Sequence, residues 1–211
     1  MELARLRHLL TPFAPLDDAR LAPLSAYLEL LLRWNARINL TSVRGEETIV
    51  IRHVGESLFT AARLLPPASP LSLADLGSGA GFPGLPMKIF APQIRLTLIE
   101  SRQKKASFLR EVVRTLNLKD VEVLSTRAEQ LATAYDLVTL RAVERYKDVL
   151  PVAARLVLPS GRLALLIGAS QQADAERLLS SFSWAEPIPV PGSASRIILS
   201  GTSPARQESK Q

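Results

Sequence analysis

The sequence predicts an α/β fold: a mostly parallel sheet with helices on both faces, preceded by a helical extension. From residue 71 onward, short apolar runs of strand length alternate with longer amphipathic runs of helix length. This alternation is typical of parallel sheets, because parallel strands need a crossover connection that a helix usually supplies. The first 65 residues instead carry apolar residues at helical spacing. We therefore expect a helical extension over 1–66, a sheet domain over 67–200 and a disordered tail over 201–211.

The helical extension contains two amphipathic patterns. The first is a leucine stripe that ends near Trp34, and its members are Leu21, Leu24, Leu28, Leu31 and Leu32. The second runs from about 46 to 65. Because an apolar stripe has to be buried, the extension is expected to pack on the core of the sheet domain.

The sheet domain has five predicted parallel strands followed by a hairpin. The strands are expected over 71–76, 94–99, 120–125, 135–140 and 161–167. The helices are expected over 84–90, 102–116, 145–157 and 171–181. Two short runs, 184–190 and 195–200, flank Pro191-Gly192-Ser193 and predict an antiparallel strand at the sheet edge. This arrangement matches the seven-stranded, Rossmann-like sheet of class I methyltransferases better than an all-parallel dehydrogenase sheet.

Composition excludes several function classes. The 211 residues contain no Cys, which excludes a disulfide framework and a thiolate metal site, and with only two His we do not expect a histidine-based metal site. No apolar run approaches 18 residues, and the N-terminus lacks the pattern of a signal peptide. We therefore expect a cytoplasmic protein, a monomer without membrane or metal partners.

The positive charge is concentrated in one segment. The net charge is +6, and residues 101–119 alone have an excess of five positive charges. The cations of this segment are Arg102, Lys104, Lys105, Arg110, Arg114 and Lys119. The first three open a predicted helix, where the helix dipole disfavours cations by roughly 0.3–1 kcal/mol each. This placement favours a polyanionic partner such as RNA, and plain solvation of a basic helix face is the alternative.

A glycine turn predicts a nucleoside-cofactor site. Residues 71–84 read LSLADLGSGAGFPG, an apolar strand that runs into Gly77 and Gly79. Glycines let the backbone turn sharply and approach a ligand closely. Glu100 ends the next strand about 20 residues later, where a carboxylate can bind the two hydroxyls of a ribose.

Two cofactor classes fit such a turn. Gly79-x-Gly81-x-x-Gly84 matches the dinucleotide fingerprint of NAD or FAD sites. However, the strand ends earlier, at Gly77, and Asp75 adds negative charge where a pyrophosphate would lie. An acid there suits S-adenosyl-L-methionine, whose methionine end carries an ammonium group. A purely structural turn, with Asp75 capping backbone N–H groups, is the remaining alternative.

The motifs together resemble the bacterial small-subunit rRNA guanine-N7 methyltransferase family, also known as glucose-inhibited division protein B. The resemblance spans roughly residues 30–170. Its segments are Asn39–Arg44, Arg52-His53, Ser57, Asp75–Pro86, Leu98–Ser101, Lys104-Lys105, Phe108-Leu109, Arg127–Glu129, Arg141-Ala142 and Leu158–Gly161. The Gly-Phe-Pro-Gly-x-Pro extension and the Asn-Leu-Thr segment are specific to this family among methyltransferases.

The resemblance implies methyl transfer from S-adenosyl-L-methionine to N7 of one guanine in the 530 loop of 16S rRNA. The substrate would be this rRNA or the small ribosomal subunit. The expected cofactor contacts, with Gly79 added from the glycine turn, are Gly77, Gly79, Phe82, Glu100, Ala128, Glu129 and Arg141. The expected RNA contacts are Asn39, Thr41, Arg52, His53, Arg102, Lys104, Lys105, Arg110 and Arg114. No catalytic base is expected, because N7 has a free lone pair and loses no proton before attack.

Several of these residues have a structural alternative. Phe82 is equally a core residue, and Glu129 is equally an exposed acid at a helix start. Arg141 can form a salt bridge with Glu144, and His53 can be a buried structural histidine. Asn39 and Thr41 are equally suited to loop or cap roles.

Two positions depart from the family pattern. The fifth strand ends in Ile167-Gly168 where the family has Lys-Gly, and Arg196 is followed by no further basic residue in the last strand. Both departures affect the expected RNA surface. They favour the alternative of an RNA-binding or assembly protein that retains the fold without activity. A methyltransferase for another acceptor, such as a small molecule, also stays open, and the basic helix and the helical extension discriminate against it, because such an enzyme more often has an apolar lid.

Overall fold

A central sheet organises the part of the chain that this computed structural model describes, residues 1–66, 70–141 and 146–206. Its strands are β1 (Ser72–Leu76), β2 (Arg95–Ile99), β3 (Val121–Leu124), β4 (Tyr135–Arg141), β5 (Val157–Gly168), β6 (Ser183–Trp184), β7 (Ile188–Pro189) and β8 (Arg196–Thr202). The order is β3-β2-β1-β4-β5-β8-β6, and β7 also pairs with β8. The first five strands are parallel, as their apolar runs predicted. The Rossmann-like methyltransferase fold class is thereby confirmed.

The antiparallel element differs in one respect from the predicted hairpin. Strand β8 lies inside the sheet, antiparallel to β5, and the edge consists of the two-residue strands β6 and β7. Since both short strands pair with β8, the eight described strands occupy seven sheet positions. Pro189 interrupts this edge, which is where a residue without an N–H is tolerated.

Eight α-helices connect and cover the described strands. They are α1 (Leu3–Leu10), α2 (Asp18–Asn35), α3 (Glu46–Ile49), α4 (Glu56–Leu64), α5 (Gly84–Phe90), α6 (Gln103–Thr115), α7 (Tyr146–Arg155) and α8 (Gln172–Leu178). Asp17 caps α2 by accepting a hydrogen bond from the Arg20 N–H. No helix in the described ranges is long and apolar enough to cross a bilayer.

The predicted helix over 46–65 has an unexpected interior. Between α3 and α4 the chain forms a π-helical turn, Val50–Gly55, without leaving the helix axis. Gly55 is needed there, because a Cβ at this position would lie 2.7 Å from the Phe13 ring. The wider turn displaces backbone carbonyls from their usual partners. One of them, that of Arg52, accepts a hydrogen bond from outside the helix.

The helical extension forms one layer of the fold. Buried residues of α1, α2 and α4 belong to the same apolar cluster as α5, α6 and one face of the sheet, for example Leu73 and Leu137. The Tyr27 hydroxyl is fully buried and donates to the Ala80 carbonyl in the glycine turn. A second cluster fills the space between the opposite sheet face and α7 and α8.

The C-terminal tail begins later than residue 201. Strand β8 includes Gly201 and Thr202, and the Ser203 N–H donates to the Gly161 carbonyl. A Cβ at Gly201 would lie 2.7 Å from the Trp184 ring, so this residue is part of the packed edge. These contacts differ from the expected disordered tail at its first residues. Residues 207–211 of that tail lie outside the described part of the chain.

Candidate functional site

A crevice lies over the carboxyl ends of β1 and β2, where parallel α/β sheets usually bind ligands. Its volume is about 390 Å³. Its walls are Leu76, Gly77, Ile99, Glu100, Ser101, Thr126, Arg127, Ala128, Glu129, Asp148, Val149 and Val152. Larger cavities of about 540 and 790 Å³ lie in the helical extension and at the amino ends of the strands. Neither lies at the carboxyl ends of the parallel strands, where ligands usually bind in such sheets.

Glu100 is held rigidly at the floor of the crevice. One carboxylate oxygen accepts from the Gly79 N–H at 2.9 Å, and the other accepts from the Arg102 N–H at 2.7 Å. A carboxylate has about four acceptor positions, so two remain for a ligand. The side chain is therefore both oriented and able to bind a pair of hydroxyl groups.

The glycine turn has a conformation that glycine alone accommodates. Gly77, Gly79 and Gly81 all have positive φ, and a Cβ on Gly81 would lie 2.3 Å from a Leu85 methyl group. At Gly84 a Cβ would lie 2.8 Å from Leu98. The turn thus packs tightly on α5 and β2.

Asp75 supports this turn from below and lies outside the crevice wall. It is fully buried, and its carboxylate accepts from the Gly84 N–H at 3.2 Å and the Thr139 hydroxyl at 2.9 Å. Burial raises the pKa of Asp75 to about 7, against the opposing effect of these hydrogen bonds. These contacts match the capping role of Asp75 that the sequence analysis left open.

Ala128 and Glu129 lie at the far end of the crevice. They form a short 3-10 turn, Ala128–Gln130, after β3. Ala128 is half-buried, whereas the Glu129 side chain is exposed and its carbonyl accepts from Arg155. Apolar side chains of α7, Val149 and Val152, face this end.

Arg141 and Phe82 lie outside the described wall of the crevice. The Arg141 guanidinium contacts Glu56 at 3.1 Å, the Arg52 carbonyl at 2.8 Å and the His53 ring at 2.9 Å. Among the described residues, the carboxylate partner of Arg141 is Glu56. Glu144, the partner considered from the sequence, lies outside the described residues. Phe82 is buried, with its ring centroid 4.9 Å from that of His53 and 5.5 Å from that of Tyr27. This packing matches the core role considered for Phe82.

A buried ionic cluster adjoins the end of β4. Glu56 is 3% exposed and lies between two guanidinium groups, those of Arg141 and Arg196. The contact with Arg196 Nε, at 3.2 Å, lacks the geometry of a hydrogen bond. Burial lowers the pKa of Arg141, and the charge of Glu56 opposes that effect. Glu56 was not predicted, because its partners are distant in sequence.

His53 connects this cluster to the loop after α2. It is 6% exposed, and its Nε2 lies 2.8 Å from the Thr41 hydroxyl. Burial, together with the nearby charge of Arg141, lowers the pKa of His53 to about 3, so the ring is neutral. Thr41 is half-buried, and its N–H donates to Asn35 Oδ1. Asn35, which ends α2, was also missed, although a loop-capping Asn at a helix end is a recognisable signal.

The remaining predicted RNA contacts are five cations at α6, together with Arg52 and Asn39. Arg102, Lys104, Arg110 and Arg114 of α6 are exposed, and Lys105 is half-buried. Arg52 and Asn39 are exposed as well. The inner face of α6 buries Leu109 and Val112 as predicted. Trp34 of α2 packs in a tilted geometry against Phe108 of α6, with ring centroids 5.7 Å apart, which brings the extension beside the basic helix.

Ile167, which stands where the family pattern has Lys, is a core residue. It is 3% exposed and belongs to the apolar cluster under α7 and α8. Its register partner in β8 is Ile197. This position therefore contributes to packing and lies away from the surface.

Solved methyltransferase structures share this fold. The magnesium protoporphyrin IX methyltransferase of Synechocystis PCC 6803, solved with bound SAM, superposes with a TM-score of 0.66 at 18% identity, covering 90% of this chain and 99% of that chain. The ribosomal protein L11 methylase of Lactobacillus delbrueckii subsp. bulgaricus superposes with a TM-score of 0.59 at 16% identity, covering 74% and 80%. At such identities the likeness shows the fold alone.

Sequence relatives are closer. A ribosomal RNA small subunit methyltransferase G of Xanthomonas axonopodis pv. citri (strain 306) is 41% identical over 181 residues, 84% of this chain and 84% of the relative. One of Roseiflexus sp. (strain RS-1) is 40% identical over 197 residues, 87% and 83%. The family model for rRNA small subunit methyltransferase G matches residues 20–190. The predicted resemblance is thereby confirmed, and the chain belongs to this methyltransferase family.

Proposed function

We propose that this protein transfers a methyl group from S-adenosyl-L-methionine to N7 of a guanine in the 530 loop of 16S rRNA. The observation that carries the cofactor assignment is the crevice at the ends of β1 and β2, with Glu100 oriented at its floor. The acceptor assignment rests on membership of the rRNA small subunit methyltransferase G family.

The backbone of the glycine turn favours a methyl donor over a dinucleotide. A pyrophosphate needs free N–H donors at the turn. Here the Gly77 and Ser78 N–H groups donate to the Ile99 carbonyl, and the Gly79 N–H donates to Glu100. With these donors occupied and a carboxylate beside them, the turn is poorly suited to an anion and well suited to a cationic ligand.

Each wall of the crevice has a role in this proposal. The two remaining acceptor positions of Glu100 would bind the ribose hydroxyls. Gly77 and Gly79 would let the methionine end approach the backbone closely. The 3-10 turn at Ala128 and Glu129 would border the adenine, with Val149 and Val152 excluding water from its face. Phe82 and Arg141 lie outside the crevice wall and would support the site next to the acceptor base.

Methyl transfer to N7 depends mainly on how the protein positions the two reactants. When bound, S-adenosyl-L-methionine supplies an electrophilic methyl group. The residues have to hold the acceptor nitrogen in line with that group at near-contact distance, and such alignment can lower a barrier by about 7–11 kcal/mol. A general base has no task in this reaction, because N7 carries a lone pair at neutral pH. The exposed cations of α6 would bind RNA phosphates, which contribute affinity without selecting a base.

The direct test is methyl transfer from labelled S-adenosyl-L-methionine. The acceptors are 16S rRNA and intact small subunits from a strain that lacks the modification, and the modified base is then mapped. We expect label at N7 of one guanine in the 530 loop. Label on another base or on protein, or no transfer to either acceptor, would refute the proposed acceptor.

A Glu100→Ala variant tests the cofactor site separately. Hydrogen bonds to a charged group contribute about 1.5–3 kcal/mol, so the affinity for S-adenosyl-L-methionine should fall at least about tenfold. The matched control is Glu122→Ala, which removes an exposed acid of β3 outside the crevice wall. Isothermal titration calorimetry measures both. Equal affinities of the two variants for S-adenosyl-L-methionine would show that Glu100 does not bind the ribose.

A further inference from the structure

The hydrogen bonds around His53 determine which of its nitrogens carries the proton. Arg141 Nη2 lies 2.9 Å from Nδ1, and its two hydrogens are shared among Nδ1, the Arg52 carbonyl and the Glu56 carboxylate. Because a guanidinium nitrogen can only donate, an Nδ1 that faces it carries no proton and accepts. A neutral ring then carries its proton on Nε2. Nε2 lies 2.8 Å from the Thr41 hydroxyl and therefore donates to it. Arg141 thus fixes the direction of the hydrogen bond between His53 and Thr41.

The Thr41 hydroxyl receives a second hydrogen bond. The Val43 N–H donates to the same oxygen at 3.1 Å. A hydroxyl has two acceptor positions and one donor. Both acceptor positions are filled, and none of the described residues accepts the hydroxyl proton. Thr41 is half-buried, so this donor is oriented by its neighbours and still reachable by a ligand.

Contacts connect the donor to the end of β4 and to the glycine turn, which under the proposed function adjoin the acceptor base. The His53 ring contacts both Thr41 and Arg141, and Arg141 is the last residue of β4. Strand β4 pairs with β1, which leads into the glycine turn. The same imidazole contacts Phe82 of that turn. Arg44 and Arg52, on either side of this loop and helix segment, are exposed, and no described carboxylate pairs with them. They provide a positive rim suited to RNA.

We propose that the Thr41 hydroxyl recognises the target base by donating its proton to O6 of guanine. The inference rests on the proposed function and names the residue that selects the base. On the edge that carries N7, guanine presents two acceptors, N7 and O6, whereas adenine presents N7 and an N6 amino donor. A hydroxyl whose acceptor positions are occupied can bond to O6 and cannot accept from N6. Adenine would therefore leave two donors facing each other.

The test compares target bases that differ at position 6. Small subunits are reconstituted with 16S rRNA that carries guanine, 2-aminopurine or inosine at the methylated site. 2-Aminopurine keeps N7 and lacks O6, and inosine keeps both and lacks only the 2-amino group. The Thr41→Val variant keeps the shape and removes the donor, and Thr41→Ser is the matched control that retains it.

We expect the wild-type protein and Thr41→Ser to methylate guanine and inosine faster than 2-aminopurine. In Thr41→Val this preference should shrink by about five- to tenfold, the range of one hydrogen bond. Comparing the preference within each variant removes both the intrinsic reactivity of each base and any general loss of activity. If Thr41→Val does not fold, Thr41→Cys replaces it, because a thiol is a weak donor.

An unchanged preference in the variant that lacks the donor would overturn the inference. That result leaves the proposed function intact as long as the wild-type protein methylates the guanine-containing subunit. Failure of the wild-type protein on that subunit would instead contradict the proposed function. A preference that shrinks in Thr41→Val and persists in Thr41→Ser supports the assignment, because a purely structural defect lowers both rates together.

Discussion

At the scale of single residues, Glu56 is the most consequential side chain that lies outside the crevice. Its single negative charge is shared by two guanidinium groups, neither of which is fully hydrated. Replacing it by Gln removes the charge and leaves Arg141 and Arg196 facing each other. Breaking a buried ion pair usually costs 3–5 kcal/mol, so we expect Glu56→Gln to lower the free energy of unfolding by about 3 kcal/mol or more.

Urea unfolding measures this decrease, and the same substitution in an exposed pair is its control. Glu47 pairs with Arg5, and about half of each side chain is exposed. Solvent screens such pairs, so Glu47→Gln should cost less than about 1 kcal/mol. Similar decreases in both variants would mean that the Glu56 cluster is hydrated in solution.

His53 predicts a dependence of stability on pH. Its pKa is about 3 in the folded state, below the ordinary value of 6.5 in the unfolded chain. Between these two pH values the unfolded chain binds more protons at His53 than the folded protein does. The free energy of unfolding is therefore highest above about pH 6.5 with respect to this group, and it falls as the pH decreases. From pH 7.5 to pH 5 this single group should cost on the order of 2 kcal/mol.

The measurement compares urea unfolding of the wild-type protein and His53→Gln at the two pH values. The decrease in stability between pH 7.5 and pH 5 should be smaller in the variant by about that amount. The comparison with a variant is essential because Asp75, with a pKa raised to about 7, acts in the opposite direction. Equal pH dependence in both proteins would show that His53 titrates normally when folded.

At the scale of elements, α6 separates packing from charge on its two faces. Its inner face buries Phe108, Leu109 and Val112, and its outer face exposes cations. Replacing Lys104, Arg110 and Arg114 by Gln should weaken binding of 16S rRNA. It should also reduce the slope of log affinity against log salt concentration by about one for each RNA phosphate that the variant no longer neutralises.

The control removes three cations of equal charge that already have partners. Arg5, Arg7 and Arg177 each pair with a described carboxylate, and replacing them by Gln changes the net charge equally. Filter binding at several KCl concentrations gives both slopes. If the two triple variants have the same slope, the α6 face is solvated and binds no phosphate.

At the scale of the whole molecule, the extension and the sheet share one apolar core. Because α1, α2 and α4 contribute to the same cluster as one sheet face, we expect them to unfold together with it. The two tryptophans report on the two layers, since Trp34 lies in α2 and Trp184 in the edge strand β6. Fluorescence of Trp184→Phe and Trp34→Phe should then give transitions that coincide with the circular dichroism of each variant. Separate midpoints within one variant would indicate two independent domains.

The order of strands and helices was predictable because it depends on local patterns. The apolar run that ends at Gly77 and the one that ends before Glu100 form neighbouring strands, as consecutive parallel strands usually do. Positions 81 and 84 require glycine, because a Cβ at either position would clash with neighbouring side chains. These parts of the crevice therefore follow from short segments of sequence.

Contacts between distant segments were decided by the tertiary structure. Arg141 meets Glu56 across 85 positions of the chain, and Arg196 reaches the same carboxylate from the last strand. No local pattern encodes such a pairing, because it depends on where the π-helical turn leaves His53 and Glu56 relative to the end of β4. The sequence by itself determined the alternating fold and the position of the Glu100 carboxylate at the end of β2, since these arise from periodicity and spacing. The packing of the extension against the sheet decided the state of His53 and the direction of the Thr41 proton, since burial and charge at a point in space depend on every segment that reaches it.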